Sequence, residues 1–81
     1  MKIEVLGPGC PNCDKLERDV FNALAELDIP AEVVKVKDLN KISSYGVLMT
    51  PGLVINGKVY SSGKIPVMET LKKWIEEESK K

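Results

Sequence analysis

Four short stretches of the chain are rich in apolar and β-branched residues between polar positions and turn residues, and this pattern predicts four β-strands. Lys2–Leu6 predicts the first strand, and the β-branched run Glu32–Val36 predicts the second. Residues 53–55 and 58–60 flank Asn56-Gly57, a dipeptide that strongly favours a two-residue type I′ turn. The last two strands are therefore predicted to form an antiparallel hairpin.

Apolar residues at steps of three and four predict a long helix after the first strand. Gly7-Pro8-Gly9 breaks the chain, and the helix should begin near Cys10 or Pro11, because proline is favoured in a first turn. Pro30 is expected to end it. The spacing directs Cys13 to the core and Cys10 to solvent. The predicted buried stripe consists of Cys13, Leu16, Val20, Leu24 and Leu27.

Two further helices are predicted, and they complete the order β-α-β-α-β-β-α. Residues 38–45 are short and polar, so they form at most a weak helix, which Asp38 caps and Gly46 closes. The last helix should have Pro66 in its first turn, with a buried face of Val67, Leu71, Trp74 and Ile75. Because a helix connects the first two strands, these should be parallel. The prediction is an α/β fold with a four-stranded mixed sheet flanked by helices.

The bulk composition limits the classes of function. A length of 81 residues accommodates one domain, so residues 1–81 should share one modest core. Twelve basic and twelve acidic residues cancel, which leaves no charged surface for nucleic acid or an anionic membrane. No segment approaches the roughly 20 apolar residues that span a bilayer, and the first residues lack a signal-peptide core. We expect a cytoplasmic monomer without nucleic-acid or membrane partners.

Cys10 and Cys13 are the only cysteines, and their C-x-x-C spacing brings them near enough to close a disulfide. The start of a helix favours an anion, so the Cys10 thiolate should be stabilised and act as the attacking sulfur. Cys13, on the buried stripe, would resolve the mixed disulfide. Alternatively, both cysteines are small buried hydrophobes, or they bind a metal without the help of histidine, which is absent.

The parts of the chain follow one another in this order: a strand, Cys10-Pro11-Asn12-Cys13, a helix, a strand, a short helix, Thr50-Pro51, a hairpin and a final helix. In this order the chain resembles the thioredoxin superfamily over nearly its whole length. It is most similar to the small glutaredoxin-like, redox-active disulfide proteins of archaea and bacteria. The resemblance implies a thioredoxin-like domain in which Pro51 follows a cis peptide bond and the Thr50 backbone pairs with an extended substrate segment. Without that context, a trans proline opening a strand is the usual isomer.

The resemblance also assigns roles around the cysteine pair. The expected substrate-binding residues are Pro11, Asn12, Thr50, Pro51 and Gly63. Gly63 would let a substrate backbone approach closely, although it could equally be a turn glycine. Glu4 lies six residues before Cys10, the offset at which thioredoxins place a buried acid that assists proton transfer to the resolving cysteine. A solvated strand glutamate is the alternative.

Departures from the family pattern concern the partners. Thioredoxins usually carry Trp before the first cysteine and Gly-Pro between the two, whereas this chain has Gly9 and Pro11-Asn12, so thioredoxin's partners are not assumed. Glutathione-binding glutaredoxins carry an aspartate where Ser62-Gly63-Lys64 offers a cation. Like charges would repel the glutathione amine, which makes glutathione an unfavoured substrate.

These observations predict a protein-disulfide oxidoreductase that needs no cofactor besides its own Cys10-Cys13 disulfide. An external reductase would restore the dithiol. One alternative is a carrier of a soft metal such as copper(I), but such carriers end on a strand in the order β-α-β-β-α-β. The other is an adaptor in which the disulfide acts only as a conformational switch.

Overall fold

A computed structural model describes residues 1–9 and 11–80, and its helices and strands follow the predicted order. They are β1 Lys2–Leu6, α1 Pro11–Leu27, β2 Glu32–Val36, α2 Leu39–Ser44, β3 Gly52–Ile55, β4 Lys58–Ser62 and α3 Met68–Ser79. None of the helices in this part of the chain combines the length and the apolar character needed to cross a membrane.

The strands form one four-stranded mixed sheet in the order β2-β1-β3-β4. β1 pairs with β2 in parallel and with β3 in antiparallel orientation. β3 and β4 form the antiparallel hairpin. The predicted α/β fold is confirmed. Because β1 lies between β2 and β3, the chain that leaves its C-terminal end to enter α1 is bordered by a strand on either side.

The alternation of side chains along β1 divides the core between the two faces of the sheet. Ile3 and Val5 pack against α1 and α3, whereas Leu6 packs against α2 on the opposite face. The larger cluster contains Ile3, Val5, Leu16, Val20, Ala23, Leu24, Leu53, Ile55, Leu71 and Ile75. The smaller contains Leu6, Val36, Ile42, Val47 and Val54. The face under α1 and α3 therefore holds most of the core.

α1 ends at Leu27, before the proline that was expected to end it. Asp28 adopts a left-handed φ of 54°, and the Ile29 N–H donates to the Leu24 carbonyl at 3.1 Å. This is a Schellman arrangement, which satisfies a terminal carbonyl and turns the chain before Pro30 is reached. The predicted stripe is otherwise present: Cys13, Leu16, Val20 and Leu24 are buried, and Leu27 packs against the core.

The predicted start of the last helix is wrong. α3 begins at Met68, so Pro66 precedes the helix instead of lying in its first turn. Val67 is the N-cap with extended backbone (φ −66°, ψ 154°), and it is 68% exposed, contrary to its predicted burial. A cap residue lies outside the helical repeat, so the stripe does not extend to it. Leu71 and Ile75 are buried, and Trp74 is partly buried.

The turns and caps follow from local chemistry. Asn56 and Gly57 have φ values of 53° and 81°, and a type I′ turn requires both to be positive. β4 continues to Ser62, beyond the predicted residue 60, because a register shift lets its pairing with β3 resume. Asp38 caps α2 by accepting a backbone N–H of its first turn at 2.9 Å.

A buried carboxylate joins α3 to the hairpin. Glu78 is 6% exposed, and it accepts hydrogen bonds from the Asn56 side-chain amide at 3.3 Å and from the Tyr60 hydroxyl. Asn56 Oδ1 also accepts the Lys2 N–H at 3.1 Å, so the network reaches the start of β1. The hydrogen bond to Glu78, together with burial, raises the pKa of Tyr60 to about 12.

Replacing Tyr60 with Phe should lower the free energy of unfolding by about 1–2 kcal/mol, because Glu78 loses a donor inside the protein. The wild type should also lose stability between about pH 10 and 12. A tyrosine in the unfolded chain ionises near 10, whereas folded Tyr60 keeps its proton to about 12. Urea unfolding near pH 7 and near pH 11 tests this. If the free energy of unfolding falls equally between the two pH values in the wild type and in Tyr60→Phe, the role of Tyr60 is contradicted.

Candidate functional site

α1 places a buried cysteine at the C-terminal end of β1. The helix begins at Pro11, so Cys13 lies in its first turn with a fully buried side chain. Pro11 and Asn12 are exposed beside it. The Cys13 sulfur is disulfide-bonded. Cys10, the predicted nucleophile, lies outside the described residues, and its role stays a prediction.

Gly7 provides the space that Cys13 occupies. A Cβ at Gly7 would overlap the Cys13 Sγ and would stand 3.1 Å from the Cys13 Cβ and 3.8 Å from the Thr50 Cβ. The φ of Gly7 is not positive, so glycine is needed here for space alone. The Gly7 N–H donates to the Val36 carbonyl at 2.9 Å, which holds the residue against β2. From sequence, Gly7 indicated only a chain break, so this packing role was missed.

The Thr50–Pro51 peptide bond is cis, the isomer that the resemblance implied. Pro51 is buried and Thr50 is half-buried, and the Thr50 Cβ lies 3.8 Å from the position that a Cβ on Gly7 would occupy. The Gly63 N–H donates to the Pro51 carbonyl at 2.9 Å. The structure therefore brings four predicted site residues to one end of the sheet: Cys13, Thr50, Pro51 and Gly63.

Gly63 satisfies two constraints at once. Its φ is 77°, a left-handed value that favours glycine. A Cβ there would stand 2.9 Å from the Met49 Cβ, closer than real side chains pack. The geometry agrees with a turn glycine, and the approach of a substrate backbone to Gly63 stays a prediction.

Glu4 is buried, so the expectation of a solvated glutamate is wrong, but it lies on the face of the sheet opposite α1. It is 4% exposed, and its Oε2 accepts the Tyr45 hydroxyl at 2.7 Å. That hydrogen bond, followed by burial, raises the pKa of Tyr45. Lys2 Nζ stands 3.7 Å from the other oxygen. Proton transfer from Glu4 to Cys13 stays a prediction.

The two carboxylates nearest to Cys13 along α1 face a lysine of β2. Lys35 Nζ lies 2.6 Å from Asp14 Oδ1 and 3.7 Å from Glu17 Oε1. The hydrogen bond lowers the pKa of Asp14 and raises that of Lys35. The sequence contained a signal for this group, since Lys35 interrupts an otherwise apolar half-strand, but no role was assigned to it.

Two apolar side chains next to the cis-proline are open to solvent. Leu48 is 93% exposed and Met49 is 66% exposed, immediately before Thr50. Sequence reasoning missed them because single apolar residues in a loop carry no periodic signal. Within the described part of the chain, no group of three or more His, Cys, Asp or Glu side chains is arranged to hold a metal ion.

Replacing Gly7 with Ala should destabilise the protein by about 1–3 kcal/mol, because the new methyl group must displace the Cys13 side chain or the helix that carries it. Urea unfolding under reducing conditions measures this cost without a contribution from the disulfide.

A double-mutant cycle separates this clash from other effects of the alanine. The Cys13→Ala variant lacks the Sγ, so in that background Gly7→Ala should lower the free energy of unfolding distinctly less than in the wild type. An equal loss of unfolding free energy in both backgrounds would contradict the packing of Gly7 against the Cys13 sulfur.

Comparison with known proteins agrees with this geometry. A sequence profile of the thioredoxin domain matches residues 1–76, which include every described site residue. A protein named thioredoxin from Methanothermobacter thermautotrophicus is 38% identical over 73 residues, which cover 90% of this chain and 95% of that protein. A thioredoxin from Methanocaldococcus jannaschii is 41% identical over 70 residues, covering 86% and 80%. The chain therefore belongs to the thioredoxin family.

Proposed function

We propose that this protein is a thiol-disulfide oxidoreductase in which Cys10 attacks substrate disulfides and Cys13 resolves the mixed disulfide. The observation that carries the proposal is the burial of Cys13 against Gly7, beside the cis Thr50–Pro51 bond, in the first turn of α1. A structural cysteine has no need of that position. A resolving cysteine does, because it must be shielded from bulk disulfides while lying one helical turn from the nucleophile.

The exchange proceeds in two steps. The Cys10 thiolate attacks one sulfur of the substrate disulfide, a Cys10–substrate bond forms, and the other substrate sulfur leaves as a thiolate. Cys13 then loses its proton and attacks the Cys10 sulfur, so the Cys10–Cys13 disulfide forms and the second substrate thiolate leaves. Two electrons pass to the substrate, and its two thiolates take up protons from solvent. A dithiol reductase would return the protein to its reduced form.

Protein disulfides are the proposed substrates. Leu48 and Met49 offer an apolar surface immediately before Thr50, and Pro51 and Gly63 adjoin it. An extended segment could pair with the Thr50 backbone while its side chains cover this surface. Pro11 and Asn12, exposed at the start of α1, would border the segment on the other side. Lys64 is exposed after Gly63, so the amine of glutathione would meet a cation, and glutathione stays an unfavoured substrate.

The architecture weighs against the soft-metal carrier. Such carriers were expected to end on a strand, whereas this chain continues from β4 into α3, whose Leu71 and Ile75 belong to the main core. A carrier also has no need of the Thr50-Pro51 pair that the thioredoxin resemblance accounts for.

A redox titration of the metal-free protein in dithiothreitol buffers tests the proposal. Free thiols are trapped by alkylation and counted by intact mass. The wild type should pass through one two-electron transition between no and two alkylated thiols, and Cys10→Ser should abolish it. Thiols that stay reduced across the range, together with a metal in the native mass of the purified protein, would replace the proposal by the metal carrier.

Cys13→Ser is the matched variant that separates the two cysteine roles. It should still attack a protein disulfide such as that of insulin but should accumulate as a mixed disulfide, since no resolving thiol remains. A wild-type protein that forms its disulfide reversibly but reduces no protein disulfide would favour the redox-switched adaptor instead.

A further inference from the structure

Lys35 bridges β2 to the first turns of α1. Its ammonium group lies 2.6 Å from Asp14 and 3.7 Å from Glu17, and its side chain is only 26% exposed. One cation therefore faces two carboxylates. The next residue, Val36, accepts the Gly7 N–H at 2.9 Å, so the strand that carries Lys35 also anchors the glycine on which Cys13 packs.

Both carboxylates belong to the part of α1 that carries Cys13. Asp14 directly follows Cys13, and Glu17 lies four residues after it, one turn further along the same side of the helix. A thiolate at the start of α1 would share this region with two negative charges. Their field would oppose the helix dipole, which favours the thiolate.

The other cations that the structure describes near the start of α1 do not pair with Asp14 and Glu17 as Lys35 does. Arg18 and Lys37 also lower the pKa of Asp14, but Lys35 lowers it more because it donates a hydrogen bond directly to that carboxylate. Lys15 is paired with Asp19 at 3.0 Å. On the β1 side, Val5 lies opposite Lys35 in the register, and the Lys2–Glu4 pair faces the other side of the sheet.

We propose that Lys35 is a positioning residue for thiol-disulfide exchange, which neutralises Asp14 and Glu17 and so preserves the reactivity of the cysteine pair. The inference rests on the proposed function and extends it to a residue that does not touch the substrate. Lys35 acts through the charge of its neighbours. Its removal should therefore have an effect whose sign is opposite to that of removing Asp14.

The test is the pH dependence of the alkylation rate of Cys10 in the reduced protein. Lys35→Met keeps the aliphatic stem but leaves two carboxylates uncompensated, so the thiolate fraction near neutral pH should fall roughly threefold. Asp14→Asn should raise it, and the double variant should return close to the wild type. Lys35→Arg, which keeps the charge, should also restore it. The equilibrium with dithiothreitol should move towards more reducing values in Lys35→Met, because a less stable thiolate makes the reduced form less favourable.

Lys72→Gln is the matched control. Lys72 of α3 forms an ion pair with Glu26 of α1 at 3.3 Å, and its side chain is 31% exposed, close to the exposure of Lys35. Glu26 lies near the other end of α1, about 22 Å from its first residue at 1.5 Å per residue, which is beyond the Debye length at physiological salt. This variant should leave the thiolate titration unchanged while losing comparable stability.

Different outcomes overturn different statements. If Lys35→Met and Asp14→Asn both shift the alkylation profile in the same direction, or neither differs from Lys72→Gln, Lys35 is a structural residue and the inference fails. If the wild type itself has no two-electron transition, the proposed function fails instead.

Discussion

The packing of α1 across the C-terminal end of β1 is the contact on which the rest of this structure depends. The apolar stripe of the helix joins the larger core cluster, and its first turn carries Cys13 into contact with Gly7. A side chain at position 7 would push that turn away from the sheet. The absence of one methyl group therefore sets how closely the helix start, the cysteine and Thr50 approach one another.

The two faces of the sheet separate two electrostatic environments. On the α2 face, Glu4 is buried, accepts a hydrogen bond from Tyr45 and lies beside Lys2. On the α1 face, Lys35 forms ion pairs with Asp14 and Glu17 in the first turns of the helix. Because adjacent strand residues point to opposite faces, a shift of one residue would exchange these environments. Register, more than composition, decides which charges lie on the face of the sheet that α1 covers.

The fold was largely predictable because its signals are local and agree with one another. Strand β1, strand β2 and the Asn56-Gly57 turn lie where alternation and turn chemistry put them. Errors occurred at helix ends. α1 stops at an aspartate in the left-handed region, and α3 starts after Pro66 instead of at it. Both ends depend on backbone angles that several sequences can adopt, so proline alone marks them poorly.

The sequence by itself determined the order of strands and helices, the burial of Cys13 and the association of a C-x-x-C pair with a helix start, because each follows from periodicity within one segment. The cis isomer at Pro51 was implied by family resemblance and lay beyond the reach of local propensity. Only the tertiary structure decided that Gly7 must lack a side chain, that Glu4 faces Tyr45, and that Lys35 meets Asp14. These contacts join residues of different segments, and their existence depends on sheet register and helix placement, which no single segment encodes.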